Sequence, residues 1–167
     1  MPEPIIESLL AFLAMVFRYE VGTMEFYIAV GATLVGILVV ARLLAGLLGS
    51  SKGIFVAAFA VLSPLFLGAM GYVAVELYVL PQIEADWAVT YLPWSIFGVL
   101  VLLVALVLSS KLWGIGKGSG VITLVLAGVA GLGAQYGAQL VIDVIDAGSS
   151  QIEKRDERLN LEIENAN

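Results

Sequence analysis

Polar side chains that could bind a cation or a solute recur near the carboxyl end of this chain, in the stretch LGAQYGAQLVIDVID. Gln135, Gln139 and Asp143 follow one another every four residues, so on a helix they share one face, and Asp146 falls close to the same line. Amide and carboxylate oxygens in such a row could line a cation path. The structural alternative is that the glutamines bond each other or a neighbouring backbone.

A second polar set lies in an earlier apolar stretch, where Pro64, Gly68, Tyr72 and Glu76 recur at the same spacing. Glu76 is interpreted either as an acid in the headgroup layer or as a partner of the glutamine row. A charge at the bilayer centre costs about 2.5–3.5 kcal/mol, so the row that contains Gln135, Gln139 and Asp143 is predicted to contact protein or water rather than lipid.

Other chemistries lack the residues they need. The chain has no cysteine and no histidine, which removes thiolate and imidazole ligands and the usual base at neutral pH. The run GIGKGSG at 114–120 does not have the GxxxxGK[ST] spacing of a phosphate-binding loop. A net charge of −6 disfavours nucleic acid as a partner. We therefore expect no catalytic residues, no metal site and no cofactor.

The polar residues must be positioned by helices that cross a membrane. Hydrophobic residues make up 60% of the 167 residues and charged residues 13%, against roughly 25% charged in soluble domains. The apolar runs approach the roughly 20 residues that a helix needs to span the hydrocarbon layer. The sequence predicts an all-α integral membrane protein whose bundle, residues 26–146, has four spans arranged as two hairpins. These spans are predicted at about 26–48, 54–80, 94–110 and 121–142.

The two flanking segments differ from the bundle. Residues 1–25 contain a helical pattern with a polar or small stripe opposite an apolar one, which is typical of an amphipathic helix lying in the membrane interface. A helix packed against the spans is an equally good interpretation. Residues 147–167 form a short acidic tail in which Ser150 and Glu153 have the spacing of a capping box.

Basic residues predict the orientation. Arg42, Lys52, Lys111 and Lys117 lie in or near two short connections, which are therefore expected to face the cytoplasm and to contact lipid headgroups. Both termini are then extracytoplasmic. Aromatic residues predicted at the outer interface include Tyr78 and Trp94, while Trp113 is predicted to mark the inner interface.

Small residues predict where helices pack. Gly133 and Gly137 have GxxxG spacing in the fourth span, and Ala130 and Ala134 extend the small surface. Gly68 provides a similar position in the second span. This surface is interpreted as packing inside the bundle, with an interface between subunits as the alternative.

These features favour a non-catalytic membrane subunit. The chain is expected to pack with other integral membrane subunits in the membrane of a cell, virion or envelope, and to dock partners through small-residue helix faces and its acidic tail. The alternative is a small homo-oligomeric cation channel or carrier, lined by the polar face of the fourth span. One bundle of four thin helices has little room for a pore, so this alternative needs several copies around an axis.

Overall fold

The computed structural model describes residues 3–165, and within that range it describes every side chain except those at 109–110, 146–147 and 149–165. Throughout this range the ordered elements are helices, and no strand occurs. They are α1 (Glu3–Phe17), α2 (Met24–Leu47), α3 (Ile54–Gln82), α4 (Asp86–Trp113) and α5 (Lys117–Asn165). In the described part of the chain, four helices are long and apolar enough to cross a membrane, namely α2, α3, α4 and α5 as far as Ile145. The predicted all-α membrane class is confirmed at this level.

Local chemistry sets the ends of α2. Its first turn is capped by Thr23, whose hydroxyl accepts a hydrogen bond from the amide of Phe26 at 3.2 Å and donates one to the carbonyl of Glu20 at 2.8 Å. The helix ends before Gly49, which adopts the left-handed conformation with φ 92°. Gly114, with φ 71°, likewise reverses the chain between α4 and α5.

Helix α4 begins earlier than the third predicted span, which covers residues 94–110. It starts at Asp86 and includes Pro93, so the connection from α3 is only residues 83–85. Proline inside a helix removes one backbone hydrogen bond, here the one that the carbonyl of Val89 would accept. Pro93 is buried against the bundle. The helix continues through Pro93, although the sequence indicates a break there.

Two of the membrane-crossing helices depart from regular α geometry. Residues Val75–Val79 in α3 and Ala105–Ser109 in α4 each form a turn of π-helix. Such turns add a residue to the helical repeat and shift the side chains that follow.

The closest helix pairs are α2 with α5 and α3 with α4. A β-carbon placed on Gly36 of α2 would lie 2.7 Å from the Cβ of Ala134 in α5. In the other pair, a β-carbon on Gly68 would lie 2.5 Å from Val101. Glycine is therefore what allows both pairs of helix backbones to approach closely. Consecutive helices α2 and α3 also touch, but less extensively.

One end of the bundle, formed by the α2–α3 and α4–α5 connections, is termed the basic end because all its charged residues are basic. Its core joins Ala41, Ala60, Val61 and Leu124 around Trp113. The Trp113 side chain is only 1% exposed, so it fills the core rather than facing headgroups as the sequence predicts. The opposite end, termed the acidic end, includes residues 18–23, residues 83–85 and the turn of α5 at Asp143.

Helix α5 does not stop where its apolar span ends. It has 49 residues, a length of about 74 Å at about 1.5 Å per residue. Residues 146–165 thus continue the helix beyond the acidic end for about 30 Å. The predicted capping box at Ser150 and Glu153 falls within this uninterrupted helix, and both side chains lie outside those described.

Candidate functional site

Helix α1 packs against the bundle through one face. Phe12 is buried with Ala69, Tyr72 and Val73 of α3. Partly buried side chains of α1 complete this contact: Ile5, Leu9, Leu13 and Val16. The opposite face of α1 exposes both acidic residues, Glu3 and Glu7, and apolar ones such as Ile6. These contacts with α3 are those expected if α1 packs on the spans, which is one of the two interpretations of this segment.

Aromatic rings concentrate where α1 meets α3 and α4. The ring of Phe12 lies 4.7 Å from that of Tyr72 and 5.9 Å from that of Phe97, measured between centroids. Trp94 lies 5.2 Å from Tyr72 in an edge-on arrangement. Tilted and edge-on pairs at these distances stabilise the contact beyond the area they bury. Tyr72 is thus part of an aromatic cluster rather than of an open polar face.

The carboxyl end of α1 is closed by a side chain from the other end of the sequence. Arg18 adopts the left-handed conformation with φ 63°, and its amide donates to the carbonyl of Ala14 at 2.8 Å. The carbonyl of Val16 accepts a hydrogen bond from Nε2 of Gln135 at 2.9 Å. Gln135 is 6% exposed, so this bond is shielded by protein.

The position of Gln135 along α5 makes this bond consequential. Gln135 precedes Asp143, the first charged residue toward the acidic end, by eight residues, or about 12 Å of helix. Between them only Tyr136 and Gln139 carry polar side-chain atoms. The end of a helix leaves carbonyl groups without amide partners, and in the apolar part of a membrane no water is present to bond them. Gln135 therefore donates the hydrogen bond that one of the last carbonyls of α1 would otherwise lack.

The remaining members of the predicted polar face are less buried than Gln135. Gln139 and Glu76 are half-buried, whereas Asp143 is exposed, and the side chain of Asp146 lies outside those described. Glu76 belongs to the π turn of α3. Among the residues described, no group of three or more Asp, Glu, His or Cys could hold a metal ion. Gln135 is thus the buried member of the predicted polar face and caps α1, whereas exposure increases along α5 from Gln139 to Asp143.

The small residues predicted to pack the fourth span fall on two different faces of α5. Ala130 and Ala134 contact α2 near Gly36, as part of the closest helix pair. Gly133 and Gly137 are exposed, and a β-carbon on either would meet nothing within 4 Å. The GxxxG pair therefore points away from the bundle.

Sequence reasoning missed the residues that do carry the α2–α5 contact. A row of buried residues recurs every four positions along α2: Ala29, Thr33, Ile37, Ala41 and Ala45. In α5, Ala127 and Gly131 face this row, and a β-carbon on Gly131 would collide with Ile37. Small residues at four-residue spacing occur on this face of α5 and also on the face of Gly133 and Gly137, so the spacing alone does not identify the face that contacts α2.

The four basic residues that are predicted to contact lipid headgroups lie at the basic end. Lys52, Lys111 and Lys117 are exposed and Arg42 is half-buried. Their contact with lipid headgroups stays a prediction. The sequence pattern places Phe12 and Val16 on the apolar stripe of α1, but it does not predict the hydrogen bond to the carbonyl of Val16, because a backbone carbonyl carries no motif.

No protein-family model, curated protein or solved structure matches this chain.

Proposed function

We propose that the chain is a non-catalytic integral membrane subunit that assembles with other membrane-spanning subunits through the outward face of α5. The observation that carries this proposal is the exposed pair Gly133 and Gly137 on a helix that could cross a membrane. Glycine in a helix interior costs about 1 kcal/mol relative to alanine. Gly36, Gly68 and Gly131 offset that cost through close contacts inside the bundle, whereas the outward pair has none there.

An outward GxxxG pair suits the approach of another helix. Without a β-carbon, two helix backbones can come close enough for extensive van der Waals contact within a bilayer. The neighbouring exposed side chains, Leu132, Tyr136 and Leu140, are large and would pack beside such a helix. The proposed interface is therefore a small groove flanked by large apolar residues.

The projecting part of α5 supports the same function. Most helical stability in proteins comes from packing of an apolar face, which a segment that projects into water lacks until a partner binds it. Residues 147–167 carry five acidic and three basic residues, so we propose that this acidic tail docks a partner outside the membrane.

In the full proposed topology both termini are extracytoplasmic and successive spans form two hairpins. Helix α1 then lies toward the outer leaflet with its acidic residues facing the headgroups.

The cation-path alternative is less well supported by the geometry. Gln135 is engaged with α1, and Tyr72 lies in the aromatic cluster, which leaves Gln139, Asp143 and Glu76 for a path. Such a path would require copies of the chain arranged around an axis.

The proposal is tested by purifying the chain in mild detergent and measuring the mass of the complex. We expect a complex larger than the monomer that dissociates when Gly133→Leu is combined with Gly137→Leu. The matched control combines Gly31→Leu with Val35→Leu, two exposed positions four residues apart on α2. A monomeric parent, or a variant complex as stable as the control, would contradict the proposal. Cation flux into liposomes that is lost on Gln139→Leu with Asp143→Asn would favour the alternative.

A further inference from the structure

A cavity of about 500 Å³ opens at the basic end, between the last turns of α4 and the start of α5. Its size lies within the range of small-molecule sites, about 300–1,000 Å³. Seven residues line it: Leu106, Val107, Lys111, Gly114, Ile115, Gly116 and Lys117. The cavity therefore combines an apolar wall with two ammonium groups and a glycine-rich turn.

The backbone explains why a cavity forms here. Leu106 and Val107 belong to the π turn of α4, which changes the helical repeat just before the helix ends. Gly114 then turns the chain in a left-handed conformation, and α5 begins three residues later at Lys117. Trp113 lies between these features and points into the core rather than into the cavity wall. The two lysines, Lys111 and Lys117, flank the turn.

The charge around the cavity has one sign only. No acidic residue occurs between Phe26 and Val75 or between Trp87 and Ile142, whereas Arg42, Lys52, Lys111 and Lys117 all fall in these stretches. The bundle thus offers no carboxylate near the basic end, although the chain as a whole carries a charge of −6. An anion from the surroundings complements this end, and lipid phosphates are the anions present at a membrane surface.

We propose that this cavity binds one anionic phospholipid, with its phosphate between Lys111 and Lys117. The first carbons of an acyl chain would then lie against Leu106 and Val107, which are both exposed and apolar. Free phosphate would satisfy the lysines but not the apolar wall, so a lipid fits the cavity better. This inference is independent of the assembly proposed for α5.

The test is native mass spectrometry of the full chain in mild detergent, with phosphatidylglycerol or phosphatidylcholine of the same acyl chains added. We expect one phosphatidylglycerol per chain to be retained in preference to phosphatidylcholine. Two basic residues near an anionic surface contribute a factor of roughly 10–30 in affinity, which Lys111→Gln with Lys117→Gln should remove. Lys52→Gln, at the same end but outside the cavity, should retain the lipid.

Equal binding of both lipids, or an equal loss on Lys52→Gln, would show a diffuse charge effect and overturn the proposal. Inorganic phosphate that displaces the lipid at an equal concentration would show that the apolar wall contributes nothing, which also overturns it. A second measurement covers a double variant that fails to fold. In the parent protein, phosphatidylglycerol should slow chemical acetylation of Lys111 and Lys117 relative to Lys52, and uniform acetylation rates would contradict the site.

Discussion

At the scale of single residues, Gln135 shows how a polar group in a membrane helix can be structural. Its amide nitrogen bonds the carbonyl of Val16 at 2.9 Å in a shielded position. Hydrogen bonds between membrane helices contribute about 0.6–2 kcal/mol, and leaving a buried acceptor without a partner costs about 1–3 kcal/mol. The bond thus adds to the packing of Phe12 in holding the end of α1 against the bundle.

Replacing Gln135 with leucine should release the end of α1 without dissolving the bundle. We expect the free energy of unfolding to fall by about 1–2 kcal/mol, because the Val16 carbonyl loses its donor. Amide hydrogens near residues 12–18 should exchange faster with solvent, as measured by mass spectrometry. Gln139→Leu is the matched control, since Gln139 is a half-buried amide one turn further along the same helix and is not the donor to Val16. Unchanged exchange in α1 of the Gln135 variant would show that the bond does not hold the helix.

At the scale of helices, the α2–α5 pair depends on how closely two backbones approach. A β-carbon on Gly36 would lie 2.7 Å from the Cβ of Ala134 and 3.1 Å from the carbonyl oxygen of Ala130. Both are rigid parts of the opposite helix, so they cannot turn aside as a long side chain can. The contact therefore requires glycine at position 36.

Gly36→Ala should lower the free energy of unfolding by about 1–3 kcal/mol through overpacking. Combining it with Ala134→Gly should restore part of the loss, because the second change removes the atom that collides. Gly31→Ala, at an exposed position of the same helix, should be neutral or slightly stabilising. The measurement is unfolding in a denaturing detergent followed by circular dichroism. Equal effects at positions 31 and 36 would refute a specific contact.

The number and type of the membrane helices were predictable because apolar runs near 20 residues are long enough to cross the hydrocarbon layer and too apolar for a soluble domain. Three details were not predictable, each for a physical reason. Pro93 lies within α4 because packing outweighs one lost hydrogen bond, which no local pattern reveals. The choice between Gly133 and Gly131 as the residue facing α2 depends on helix rotation, and both have small neighbours at four-residue spacing. The bond from Gln135 joins residues 119 positions apart, beyond the reach of any periodicity.

At the scale of the whole molecule, charge separates the two ends of the bundle. The acidic end carries Glu20, Glu84 and Asp143 on exposed positions with one exposed base, Arg18, and the basic end carries three exposed lysines. Positive residues are retained on the cytoplasmic side during insertion, so this separation predicts one orientation.

Cysteines introduced singly should report this orientation, since the parent chain has none. In intact cells or oriented vesicles, a membrane-impermeant maleimide should label Glu20→Cys from outside and should not label Lys52→Cys until the membrane is opened. Both positions are exposed, so their reactivities are comparable once the reagent has access. Labelling of position 52 alone from outside would reverse the predicted orientation.

The bond between Val16 and Gln135 also has a consequence for how the protein is made. Helix α1 is synthesised before α5, but the side chain that closes its end belongs to α5. At about 5–20 residues per second, the 119 residues that lead from Val16 to Gln135 take roughly 6–24 seconds to emerge. Until then the carbonyl of Val16 must bond water or a transient partner, and final docking of α1 is coupled to completion of the fourth span. Chains that stop short of Gln135 would expose an open helix end that quality-control proteases can recognise.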